Sequence, residues 1–173
     1  MSNQRFGLSA SHARRGRDYM SNLVLELRQG EVMIVNGAPI RFRTRSRIEL
    51  TAKARFLFGK QIMPPDQVDS PGRRIYFSLQ SAYIGTETER EGGLEMARHY
   101  IADFVQATTS DLVRGILNQA LVAAEEDDCY RALKLIRRII QHEDAVLGKT
   151  PNISIPTGNS DHHAKPQPSY TGV

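Results

Sequence analysis

The sequence predicts an α+β protein: a small antiparallel β-meander followed by a C-terminal bundle of about four α-helices. Two observations predict it. Between Leu23 and Phe58 apolar residues recur with period two, in short runs separated by turns rich in Gly, Asn and Ser, which is the pattern of half-buried strands. Beyond Pro71 the period lengthens to that of a helix, in four amphipathic stretches. The length of 173 residues suits one domain with tails.

The elements follow in order. Residues 1–22 are polar and basic, with an Arg14-Arg15-Gly16-Arg17 cluster, and are expected to form a mobile arm. Residues 23–62 form the β module. Leu23, Leu25 and Leu27 alternate with Val24, Glu26 and Arg28, and Gln29-Gly30 turns the chain. Val32 to Val35 is a short apolar strand, and Asn36-Gly37 is a hairpin signal because both central positions of a type I′ turn need positive φ. Ile40 to Arg43, Arg47 to Thr51 and Ala54 to Phe58 complete five strands, a meander short enough to curl into a half-barrel. Residues 63–69, with Pro64-Pro65, read as a linker, since proline offers no N–H to a ladder and restrains the residue before it.

Residues 70–148 form the helical module. Ser70 caps the first helix, Pro71 takes its first position, and Ile75, Tyr76, Leu79 and Tyr83 make its stripe. A second helix spans Glu91 to Gln106. Ser110-Asp111 caps a third, with Leu112, Val113, Ile116, Leu117, Ala120, Leu121 and Ala124 along it. Asp127-Asp128 opens a fourth, with Leu133, Ile136, Ile139 and Ile140 inward and Gly148 as its stop. Residues 149–173 are Pro, Asn, Ser, Gly and His in composition and are expected to be a disordered tail.

Charge is divided unevenly. Residues 1–74 carry 14 Lys+Arg against 6 Asp+Glu, and residues 75–173 carry 9 against 13. A basic half beside an acidic half points to a polyanion-binding face attached to a different module. Several function classes lack support. Cys129 has no partner for a disulfide, and its acidic neighbours Asp127 and Asp128 raise rather than lower a thiol pKa. None of the five histidines (His12, His99, His142, His162, His163) has a second ligand at helical spacing, and Asp161-His162-His163 reads as a solvated tract. Gly92-Gly93 lacks the strand context of a phosphate loop. No catalytic residue, metal or cofactor is expected. The chain shows neither a signal-peptide core nor an apolar run of the roughly 18–20 residues that span a bilayer, so a cytoplasmic location is expected, away from membranes.

The basic constellation is better defined. Arg41 and Arg43 alternate with Ile40 and Phe42, which places both guanidiniums on one strand face about 6.6 Å apart. Arg45 and Arg47 can join that face, and Arg55 joins it if the next strand pairs in simple order. Arginine forks onto phosphate oxygens and stacks on bases, so the face suits single-stranded nucleic acid. A solvated sheet surface explains the same pattern equally well, because Phe42 should point inward and leave no evident stacking aromatic. Arg73 and Arg74 stand in the first turn of a helix, where the dipole disfavours cations. Either they meet an anion or a partner's carboxylate, or they pair with Asp66 or Asp69 upstream.

Several segments together resemble the FlbT family of flagellin regulators. They are Gly30-Glu31, Val35-Asn36-Gly37-Ala38, Ile62-Met63, the block Ser70-Pro71-Gly72-Arg73-Arg74-Ile75-Tyr76-Phe77-Ser78-Leu79-Gln80, and Tyr130 to Lys134 with Glu143 and Val146-Leu147-Gly148. The resemblance spans roughly residues 22–148, and the block at 70–80 is its most specific part. Gly72 and the run Phe58 to Gln61 depart from the family's usual pattern.

The resemblance implies a post-transcriptional regulator of flagellum biogenesis. Such proteins associate with the 5′ untranslated region of flagellin mRNA and promote its degradation, as repressors; some members act positively. It implies no catalytic residues, and it makes Met20 a plausible start. Two readings follow. In the first, Arg41, Arg43, Arg45, Arg47, Arg55, Arg73 and Arg74 bind the flagellin mRNA leader. In the second, the protein acts through flagellin, its chaperone or another regulator of the FlaF type. The contacts then lie on Tyr76, Tyr83, Tyr100 or Tyr130. Self-association into a homo-oligomer stays open in both.

Overall fold

A computed structural model describes residues 23–148, so the proposed arm and tail lie outside it. Five strands precede four helices. The strands are β1 (Leu23–Leu27), β2 (Val32–Val35), β3 (Ala38–Arg41), β4 (Ser46–Leu50) and β5 (Phe56–Phe58). The helices are α1 (Pro71–Ile84), α2 (Glu87–Ala107), α3 (Asp111–Glu125) and α4 (Cys129–Val146).

The α+β class and the order of its parts agree with the sequence, but the strand pairing does not follow a simple meander. β1 pairs antiparallel with β4, Leu23 opposite Leu50 and Leu27 opposite Ser46. β2 lies between β3 and β5 in a second sheet. The two sheets sort by residue pattern. β1 and β4 both alternate, β1 exposing Val24 and Glu26 and β4 exposing Arg47 and Glu49, so they match each other. β2 (VMIV) and β5 (FLF) are apolar throughout and face the interior, with Met33 and Leu57 fully buried. The Asn36-Gly37 hairpin forms as expected, with φ of 48° and 85°.

The helices close a ring in which α1 packs on α2 and α4, and α3 packs on the same two. Leu79, Ile101, Leu117, Leu133 and Ile136 fill its centre, and Leu57 and Met63 extend the same core into the β part and the linker. The caps read from sequence are in place. Ser70 Oγ accepts from Arg73 N at 3.2 Å, Ser110 Oγ from Val113 N at 3.3 Å and Asp128 Oδ1 from Arg131 N at 3.2 Å. α2 starts at Glu87, four residues before the predicted Glu91. Its signal was the capping box of Thr86 and Glu89, in which the Glu89 carboxylate accepts from Thr86 N at 2.8 Å and Thr86 Oγ1 at 2.9 Å. Those bonds hold the Glu89 carboxyl below its ordinary pKa.

Candidate nucleic-acid interface and the residues around it

The block from Ser70 to Gln80 fastens three parts of the chain together. Glu143, near the end of α4, reaches the start of α1, where its carboxylate accepts from Ser70 Oγ at 2.6 Å and Gly72 N at 3.0 Å. A carboxylate at a helix N-terminus satisfies free N–H groups and opposes the dipole. Gly72 makes room for this contact, since a Cβ would stand 2.7 Å from Glu143 Oε2 and displace the carboxylate. On α1, Gln80 acts as a substitute ladder partner for the linker. Its side-chain amide accepts from Met63 N at 2.8 Å and donates to Met63 O at 3.0 Å. Tyr76 donates its hydroxyl to Gln61 O at 2.7 Å. Residues that carry the most specific resemblance are thus structural.

Arg73 belongs to the same fastening and not to an anion site. Its guanidinium is buried and donates to Asp144 Oδ1 at 2.8 Å and Oδ2 at 3.0 Å, with Asp69 at 3.4 Å. The upstream aspartate expected from sequence is therefore one partner, and Asp144 of α4 is the second. Tyr76 is also corrected: it is fully buried and cannot face a partner. Above its ring lies Arg137, 1% exposed, which donates to the Tyr76 hydroxyl at 2.8 Å and to Lys60 O at 3.3 Å. Arg137 Nε and Nη1 have no partner among the described residues, and burial lowers the guanidinium's pKa. Its position was readable: residue 137 falls on the stripe of Leu133, Ile136 and Ile140.

Arg55 is withdrawn from the arginine face because β5 pairs with β2 and not with β4. Its backbone is clasped by Asn36, which donates N–H to Arg55 O at 2.8 Å and accepts from Arg55 N at 3.0 Å through Oδ1. Its guanidinium pairs with Asp127 at 2.6 Å, and Arg90 of α2 approaches the same carboxylate at 3.6 Å. Of the remaining tyrosines, Tyr83 and Tyr130 are half-buried against each other at 5.7 Å, with Lys134 over the Tyr130 ring. Burial raises both hydroxyl pKa values. Tyr100 is half-buried on α2 beside His99.

What remains of the cationic set is compact. Arg41, Arg43, Arg45 and Arg47 are all exposed on one stretch of chain that leaves β3 and enters β4. Arg41, Arg43 and Arg47 make no ion pair among the described residues. Arg45 meets Glu26 at 3.0 Å, with both side chains well exposed, a contact of at most about 1 kcal/mol. Because β3 and β4 lie in different sheets, the four do not form one flat face.

Phe42, expected inward, is only half-buried. The ladder continues one step past β3, with Phe42 N donating to Glu31 O at 2.9 Å and Gly30 N donating to Phe42 O at 2.7 Å. Phe42 then lines an open hollow of about 490 Å³ with Gln29, Gly30, Arg41 and Arg43. A hollow bordered by an aromatic and by guanidiniums without an ion pair among the described residues can take a base on the ring and phosphate oxygens on the arginines. Arg74 is exposed on α1 and lines a different hollow from Arg41 and Arg43.

Among the described residues no helix is long and apolar enough to cross a membrane, and no three His, Cys, Asp or Glu side chains gather as a metal site. Fold and hollow define a small α+β protein whose distinctive surface is a strip of four exposed arginines, three of them without an ion pair among the described residues. The chain belongs to the FlbT family: the family described as flagellar protein FlbT matches residues 23–147. It is 30% identical over 156 residues to a probable flagellum biosynthesis repressor protein FlbT of Mesorhizobium japonicum, covering 88% of this chain and 97% of the relative. It is 33% identical over 130 residues to the flagellum biosynthesis repressor protein FlbT of Caulobacter vibrioides, covering 73% and 89%. A third relative, from Agrobacterium fabrum, is 28% identical over 127 residues. These names describe a repressor of flagellum biosynthesis. No solved structure matches the chain.

Proposed function

We propose that this protein represses flagellum biosynthesis after transcription, by binding the 5′ untranslated region of flagellin mRNA in the cytoplasm and promoting its degradation. The observation that carries the RNA reading is the hollow lined by Phe42 with Arg41 and Arg43, which make no ion pair among the described residues, continued by Arg45 and Arg47. The relatives' names support the repressor part. With no catalytic group assigned, decay of the message falls to a cellular ribonuclease whose access the bound protein changes.

The test is titration of flagellin leader RNA and a scrambled control at several salt concentrations. The leader is expected to bind more tightly at moderate salt. Single-strand contacts give a log–log salt slope near −0.7 per neutralised phosphate, so Arg41→Ala with Arg43→Ala should flatten it by about 1.4. Phe42→Ala should weaken binding by about 1–3 kcal/mol without changing the slope. Equal binding to leader and scrambled RNA, lost as salt rises, would defeat the proposal.

A further inference from the structure

We infer that the groove between α1 and α2 is a docking site for an amphipathic helical segment of a partner protein, one whose apolar stripe is flanked by a carboxylate. The groove encloses about 340 Å³ and has a mainly apolar floor, to which Phe77 of α1 and Met96 and Tyr100 of α2 contribute. Met96 is 42% exposed, and its unbranched thioether can adapt to whatever packs on it. Nothing in this inference depends on RNA binding by the β part.

Two adjacent glycines build the groove in different ways. Gly93 lets the helices close: a Cβ there would stand 2.6 Å from Ala82 N and 2.7 Å from Ser78 O. Gly92 faces open space, with nothing within 4 Å of where its Cβ would be. It leaves a bare stretch of α2 backbone along the wall, where a second helix can approach closely. The α1 side of the groove runs from residue 74 to residue 81, a rise of about 10 Å, or two helical turns. That is the span of anchors at i, i+3 or i+4, and i+7 on a docked helix. The volume is at the small end for a cofactor and suits two or three side chains.

Charge selects the occupant. Arg74 stands at the groove, exposed, without an ion pair among the described residues, in a helix first turn that disfavours cations. Its neighbour Arg73 has Asp144; Arg74 has no such carboxylate. Glu89 also lines the groove, its ionised carboxylate held at the Thr86 cap at the start of α2, while Arg74 stands in the first turn of α1. Arg74, a cation with an apolar floor next to it, complements a carboxylate next to an apolar stripe. A nucleic-acid strand, which brings many phosphates and no such stripe, fits it poorly.

The test uses the full chain with the photo-cross-linking residue p-benzoylphenylalanine in place of Met96, a large and exposed side chain of the floor, produced in the native host and irradiated. The expected adduct joins position 96 to a segment of another protein with apolar residues at helical spacing and an adjacent Asp or Glu. That segment, synthesised as a labelled peptide, should bind the purified protein and lose at least tenfold in affinity with Arg74→Glu. Changing the peptide's acid to Lys should restore tenfold or more to the Arg74→Glu variant. Arg74 is exposed, so this variant is expected to unfold at the wild-type temperature, which circular dichroism checks. An adduct with residues 149–173 of the same chain, with a second copy or with RNA would overturn the inference. So would the absence of an adduct, or a peptide affinity indifferent to Arg74→Glu.

Discussion

Arg73 and Asp144, seventy-one residues apart in sequence, meet in a buried ion pair that joins the first turn of α1 to the last turn of α4. Beside it Glu143 caps α1, so two consecutive acidic residues of α4 receive one helix N-terminus. Removing Asp144 leaves the buried guanidinium with only the more exposed Asp69, at 3.4 Å. Asp144→Ala is therefore expected to cost about 3 kcal/mol in denaturant unfolding, the low end of what a broken buried pair costs. Replacing both, as Arg73→Met with Asp144→Leu, should recover most of that loss, because the remaining apolar pair carries no desolvation penalty. A double variant no more stable than Asp144→Ala would show that the pair itself is favourable on balance.

Adjacent glycines should respond in opposite senses. In a helix interior Gly→Ala gains up to about 1 kcal/mol in propensity. Gly92→Ala, with open space around it, should show that gain. Gly93→Ala must push α1 away and should lose about 1–3 kcal/mol. Thermal unfolding of the two single variants measures the difference, and equal shifts would mean the α1–α2 crossing is looser than described.

Stability should fall on the alkaline side. Burial raises the folded-state pKa of the Tyr76, Tyr83 and Tyr130 hydroxyls and of the Cys129 thiol. Groups raised on folding contribute stability fully below their unfolded pKa, near 9 for the thiol and 10 for tyrosine, and lose it as pH rises through the folded values. Unfolding free energy is expected to hold steady up to about pH 8.5 and to decline above it. Tyrosinate absorbance should appear later than in the denatured chain. Cys129 should also resist alkylation at pH 8 until the protein unfolds.

Much of the fold was legible because local chemistry decides it. The Asn36-Gly37 hairpin and the Ser70, Ser110 and Asp128 caps need only their neighbours. Strand order was not legible, since the Gln29-Gly30 turn suits a hairpin between β1 and β2. Gly30 does turn the chain with φ of 84°, but it carries the chain from one sheet into the other. The site was legible in part. Arg41 to Arg47 are exposed as a charged strip, yet Arg55, Arg73 and Tyr76 were lost to it because each meets a residue far off in sequence. Asp127, Asp144 and Arg137 are those distant partners. For Arg137 and Asp144 a signal existed: both fall on the inner stripe of α4.

The β2–β3 hairpin is fixed along β2, which β5 pairs from Met33 to Val35, while β3 is the free edge of the sheet. At its tip a Cβ on Gly37 would lie 3.4 Å from Thr86 N, so the turn rests against the α1–α2 junction, and Asn36 ties it through Arg55 to Asp127. Its other end, where Arg41 and Phe42 stand, projects about 17 Å along the strand from that seat. Arg41 thus stands on an edge strand whose hairpin is fixed by β5 on one side and by the helix joint at the tip, so the backbone of the arginine end is presented on a braced support.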